Sequence, residues 1–274
     1  VIFYTALGGM PFGPGNIKIG CALSKDLEHI DEKHLVTPFN AKAMALFPER
    51  INGKITAILT THTDEPPARI AIVQCDRLEQ LWDLSFWEDW HSKLDEHVIN
   101  PLRFEHDHVE VGAVPVKTKD GWLLVYSYIQ NYFGGGERVF GIEALLLDLK
   151  DPQKIVGATH GPMMVPEETY EKYGAVPEIV FPSGALLNTN GRLDIYYGAA
   201  DTTSARASLN LDDLLNDMDS FTLKQRHELD RVALDLIEVN ERARDEAMVL
   251  YDKSDVTLQQ RIDALEGLGI DMPS

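Results

Sequence analysis

The sequence predicts an all-β fold of small sheets set around a central axis, on three observations. Pro48, Pro115 and Pro182 recur at intervals of 67 residues. The turn glycines Gly53, Gly121 and Gly191 keep nearly the same period, at 68 and 70. After each glycine a strand is expected to open, over residues 54–61, 122–130 and 193–200, and in the last of these Leu193, Ile195 and Tyr197 alternate with more polar residues as in a half-buried strand. Short antiparallel strands repeated at a fixed period are the mark of propeller blades, whereas a sandwich needs no period.

Each repeat reads in the same order. Its proline, which has no N–H to give a sheet, is expected to end a first strand. The glycine turn opens a second, and a third follows at residues 69–74, 139–147 and 205–209. These run into Asp76-Arg77-Leu78, Asp148-Leu149-Lys150 and Asp212-Asp213-Leu214. Residues 2–7 and 17–24 fit the second and third strands of an earlier unit whose first strand is missing. Residues 1–215 are therefore expected to form about three and a half blades. An open ring would expose long sheet edges, so upstream sequence or a partner chain is expected to close it. From residue 216 to 274 the pattern changes: Leu229, Val232, Leu236, Val239 and Ala243 recur at helical spacing. A shorter helix is expected at residues 255–268. This acidic helical extension is expected to lie on the outside of the blades or to join two copies into a homo-oligomer.

Composition narrows the function. The 274 residues carry a net charge of -19, of which 16 acids against 7 bases lie from Asn210 onward. Nucleic acid and anionic membranes need clustered Lys and Arg, so neither is an expected partner. Neutral sugars are compatible with this charge. Cys21 and Cys75 lie in apolar runs and read as buried reduced thiols of a cytoplasmic protein. No apolar run is long enough for a membrane helix.

Propeller ligands sit where inner strands end, so matching positions of the repeats belong together: Leu46 to Pro48, Gly112 to Lys117 with Ser127, and Phe181 to Ser183 with Gly198 to Asp201. Four stretches carry a specific resemblance: Ala45-Leu46-Phe47-Pro48-Glu49-Arg50-Ile51-Asn52-Gly53-Lys54, and residues 112–124, 145–152 and 176–202. In this order they resemble the signatures of glycoside hydrolase family 130. The resemblance implies a five-bladed β-propeller, here lacking its N-terminal part. It also implies an inverting enzyme that cleaves β-mannosidic bonds of short manno-oligosaccharides, with no cofactor and with inorganic phosphate as a possible co-substrate.

By the same resemblance Asp201 holds mannose hydroxyls and Lys117 contacts phosphate. The family's general acid has no counterpart in this chain, and without it the fragment would be a sugar-binding propeller that does not turn over. The sequence departs from the phosphorylases where they carry an arginine, here Thr60-Thr61, and where they carry a histidine, here Ser127. A phosphate dianion wants several cationic donors, and Lys117, with Lys42 in reserve, is a thin supply. The balance favours hydrolysis, with Glu143 or Glu110 as the base that activates water. Phosphorolysis giving mannose 1-phosphate is the alternative. Ser127, Ser183 and Tyr128 complete the expected sugar contacts, and Tyr132, Phe133 and the glycines after them are expected to form a loop at the mouth. Trp82, Trp87 and Trp90 read as packing under a long connection, His91 and His97 as surface residues. His106-Asp107-His108 lacks the several-element geometry of a metal site, so no metal is expected.

Overall fold

In a computed structural model of the protein, residues 1–7, 13–63, 68–134, 138–219 and 242–243 are described. The chain divides into two compact units, Val1–Leu223 and Lys224–Ser274. The first unit extends past the expected limit at residue 215. The expected helices at 229–243 and 255–268 fall in the second, outside the described residues except for 242–243, which are helical.

The first unit contains successive antiparallel sheets. The first has the order β1 (Ile2–Leu7), β2 (Ile17–Leu23), β3 (Glu32–Leu35). The second runs β4 (Ala41–Leu46), β5 (Ile55–Thr61), β6 (Arg69–Cys75), β7 (Val98–Ile99). In the third, β8 (His108–Val111) and β9 (Val116–Lys117) both pair with β10 (Trp122–Gln130), followed by β11 (Val139–Leu147) and β12 (Ile155–Ala158). The fourth is β13 (Val180–Leu187), β14 (Arg192–Ala199), β15 (Thr203–Asn210). The helices are α1 (Leu84–Ser92), α2 (Thr169–Lys172) and α3 (Leu211–Asp219).

Cores lie between neighbouring sheets. Along β10, Trp122, Leu124, Tyr126 and Tyr128 face the second sheet, while Leu123 and Val125 face the fourth. Burial on both faces explains why this strand reads as a nearly unbroken apolar run. Leu211, Leu214, Leu215 and Met218 of α3 complete the core between the third and fourth sheets, which carries the first unit beyond β15. Between the first and second sheets, Trp87 and Trp90 of α1 are buried with Phe39 against them. Their indoles donate to the carbonyls of Leu81 (2.7 Å) and Ile72 (3.2 Å). Both cysteines are buried here as free thiols, and burial raises the Cys75 pKa to about 11. His91 and His97, expected at the surface, stack on Phe39 (4.2 Å) and Trp90 (5.1 Å). An aromatic-rich connection gave their rings faces to cover.

The repeat differs from expectation in one detail. Pro182 does not end its strand; it lies within β13, where the register shifts between Pro182 and Gly184. A bulge is where a sheet tolerates a residue without an N–H. Gly112 sits close by: a Cβ there would lie 2.5 Å from Pro182 Cγ and 2.9 Å from the Val125 carbonyl oxygen. Gly112→Ala is expected to cost about 1–3 kcal/mol, the usual effect of overpacking. Urea denaturation reads it, and an unchanged midpoint would mean that Pro182 gives way freely. β1 stands apart from its counterparts: Ile2, Tyr4 and Leu7 are exposed, whereas β5 and β10 are buried almost throughout.

Candidate active site

The strands on one side of each sheet, β1, β4, β8 and β13, contribute to a single cavity of about 510 Å³. Its walls are Phe3 to Thr5, Ala43 to Leu46, Val111, Gly112, Val114 and Phe181 to Ser183. Three of these strands are interrupted at the wall. β4 shifts register between Lys42 and Ala45, with Ala43 in the left-handed region at φ 49. The third sheet breaks between β8 and β9 at Gly112 to Pro115, and β13 bulges at Pro182. A broken ladder releases backbone N–H and C=O groups from strand pairing, and such groups must find other partners. One such partner lies in the third sheet, where the Ala113 N–H donates to the Val125 carbonyl at 2.9 Å, and the Ser183 hydroxyl of the wall donates to the Tyr196 carbonyl at 3.3 Å.

The structure places the expected site residues in three groups. Asp201 lies in the turn after β14, with Ala200 and Asp201 both left-handed (φ 47 and 48). The Thr202 N–H closes that turn on the Ala199 carbonyl at 3.0 Å. Residues 174–176 brace it, for Ala175 N–H donates to Thr202 Oγ1 at 2.9 Å and Val176 N–H to the Ala200 carbonyl at 3.2 Å. The Asp201 side chain is exposed at this end of the sheet.

Lys117 sits elsewhere. It faces Trp122, the first residue of β10, and its ammonium pairs with Glu49 beside the glycine turns. Asp201 lies two residues past the end of β14, the strand that corresponds to β10. The structure thus does not bring the two to one rim: they lie toward opposite ends of corresponding strands in neighbouring sheets. One period of the repeat positions residues relative to their own glycine, and Lys117 precedes its glycine while Asp201 comes a strand later.

The remaining candidates cluster on the third sheet. Ser127 and Glu110 stand opposite each other on β10 and β8. Glu110 Oε1 is 2.8 Å from His108 Nε2, and its side chain retains 14% exposure. His108 is fully buried and stacks on Tyr132 at 4.4 Å. Among the described residues, neither Ser127 Oγ nor His108 Nδ1 has a hydrogen-bond partner. Lys42 stands opposite Thr60 across β4 and β5, one residue before Ala43 of the cavity wall.

Glu143 has a different environment from the one a base needs. Its side chain is 0% exposed, and it takes both arms of the Arg103 guanidinium, at 3.0 and 2.9 Å. Tyr126 donates to it as well, at 3.0 Å. With its oxygens held by a cation and a phenol, Glu143 acts as a counter-ion and does not open to the cavity. Burial and the neighbouring carboxylate push the Tyr126 phenol far up, so it stays a donor. Tyr128 is likewise buried: its oxygen accepts the Arg103 N–H at 2.8 Å and its hydroxyl donates to Asp107. No part of that hydroxyl is presented to a ligand. Arg103 was not anticipated. The signal was in Glu143 itself, since an acid on an apolar strand requires a cation or donors nearby.

Comparisons with known proteins agree with this architecture. The family model of glycoside hydrolase family 130, described as beta-1,4-mannooligosaccharide phosphorylase, matches residues 16–220. A 1,2-beta-oligomannan phosphorylase of Thermoanaerobacter sp. (strain X514) is 34% identical over 72% of this chain and 60% of its own. A beta-1,2-mannobiose phosphorylase of Listeria innocua is 31% identical over 72% of this chain and 51% of its own. The solved structure of a Listeria innocua beta-1,2-mannobiose phosphorylase with beta-1,2-mannobiose superposes with a TM-score of 0.60 at 28% identity, covering 75% of this chain and 54% of that one. The chain thus spans roughly half to three fifths of the length of these relatives. With a family model running from β2 of the first sheet through the other three and past the turn that carries Asp201, the chain belongs to glycoside hydrolase family 130.

Proposed function

We propose that this chain is part of an enzyme that cleaves β-mannosides by phosphorolysis, releasing mannose 1-phosphate. The observation that carries this reading is the family match over residues 16–220, together with relatives named as mannoside phosphorylases at 34% and 31% identity. The cavity bounded by all four sheets receives the sugar, a neutral ligand suited to an acidic protein. Asp201 grips its hydroxyls from the mouth. Lys42, next to Ala43 of the cavity wall, is the cation assigned to phosphate in this reading, since Lys117 pairs with Glu49 at the other strand end. The earlier preference for hydrolysis rested on scarce cations, and the named relatives weigh against it.

Hydrolysis is retained as a second reading on one observation. Glu110, paired with His108 and partly exposed, stands beside Ser127 where a water could be activated. The exposed face of β1 supports a ring completed by further polypeptide, to the five blades implied for the family, and turnover is proposed for the completed form, in the cytoplasm. Among the described residues no helix is long and apolar enough to cross a membrane.

The test is product analysis of the complete protein with β-1,2-mannobiose, with and without phosphate. Mannose 1-phosphate formed only with phosphate is the expected result, at a rate at least tenfold above free mannose release. Free mannose independent of phosphate would establish hydrolysis instead. Binding without either product would leave a sugar-binding protein.

A further inference from the structure

A second concavity opens near the start of β8 and the end of β10 and shares no lining residue with the first. It has a volume of about 650 Å³ and is lined by residues 102–106, Asn100 and Phe133. Its wall is not ordinary loop. Arg103 reaches from this segment to Glu143 on β11, with both side chains nearly inaccessible, at 2% and 0% exposure. The guanidinium lies 3.6 Å from the centre of the Tyr128 ring. Tyr128 in turn holds Asp107, whose other oxygen accepts the Asn131 N–H at 3.0 Å. The His106 carbonyl accepts the Phe133 N–H, also at 3.0 Å. An unbroken series of contacts therefore joins the interior of the third sheet to the turn at residues 131–134.

Stability alone does not account for this arrangement. Well-packed apolar side chains in place of a buried ion pair are often as stabilising or more so. What the pair adds is direction: a two-armed bond fixes the angle of Arg103, and stacking fixes the plane of Tyr128. The turn that depends on them presents Phe133, 38% exposed, to the concavity beside Phe104. Aromatic faces flanked by backbone polar groups suit the C–H face and hydroxyls of a pyranose ring.

We infer that Arg103 and Glu143 are positioning residues that hold segment 100–107 and the turn at 131–134 as one platform for a saccharide unit of the substrate. The inference rests on the mannoside reading for its ligand, but the positioning is measurable without any sugar. Hydrogen exchange of the Asn131 and Phe133 amides reports the platform. Tyr128→Phe removes the hydroxyl that links Arg103 to Asp107 and keeps the ring, and it is expected to speed exchange at Asn131 at least tenfold. Arg103→Met combined with Glu143→Leu keeps bulk and removes the pair, with the same expected effect at both amides. Unchanged exchange in both variants would overturn the positioning.

Calorimetric titration with β-1,2-mannobiose and a longer β-1,2-mannan then tests the ligand. The wild-type chain is expected to bind the longer sugar more tightly, and Tyr128→Phe to lose at least fivefold for that sugar while mannobiose binding changes less than twofold. Equal losses for both lengths would overturn the platform's role. No binding of either sugar by the wild-type chain would remove the mannoside reading, with the exchange result standing separately.

Discussion

Replacing Glu143 by Ala is expected to cost the folded unit about 3–5 kcal/mol, because it strands the Arg103 guanidinium in the interior without its counter-charge. Arg103 is 2% exposed, so bulk water does not replace the two charge-assisted hydrogen bonds of the lost carboxylate. Tyr126 also loses its acceptor, at a site where it is wholly buried. For a unit of this size each kcal/mol moves the thermal midpoint by about 2–4 °C, so a fall of roughly 6–20 °C is expected. Urea denaturation and a thermal scan measure it. A loss below about 1 kcal/mol would show that Arg103 finds solvent or another acid when Glu143 is gone, and that the pair matters little to the fold. Arg103→Ala is expected to fall in the same range, since it leaves the carboxylate in the same position.

The second large effect concerns recognition. Asp201→Asn is expected to weaken β-1,2-mannobiose binding by roughly ten- to a hundredfold, with the thermal midpoint nearly unmoved. Asn is chosen over Ala because Asp201 has φ 48, a conformation that Asn adopts at less cost than Ala. The substitution keeps the size and turn geometry, and it removes the negative charge. Hydrogen bonds to charged groups contribute about 1.5–3 kcal/mol, and each 1.4 kcal/mol is a factor of ten in affinity. Calorimetric titration reads the difference. Equal affinity for both forms would take Asp201 out of the sugar site and leave the cavity between β4, β8 and β13 to be explained by other side chains.

Much of the fold was legible in the sequence because its signals are local. The glycine turns at Gly53 and Gly191 have positive φ, at 80 and 79, and the residues after them form β5 and β14 as read. The outer strands β7 and β12 were not read. They are short, at two and four residues, and they form because a neighbouring strand offers them an edge. The site was less legible. Matching positions in a repeat were assigned to one mouth, but a strand has two ends, and only pairing register separates Lys117 from Asp201. Glu143, read as a candidate base, is an acid on an apolar strand, and such an acid is buried for a reason. The reason was a partner 40 positions away, which no local pattern reports.

The interruptions in β4, the third sheet and β13 bear on how this protein can change over evolutionary time. Where a strand leaves its ladder, the residue at the wall is no longer tied to a cross-strand neighbour, so its side chain can change without breaking a pair. Substitution at Val114 can therefore resize the cavity while the strands behind it keep their register. Ala43 has less latitude, because its left-handed backbone disfavours branched side chains.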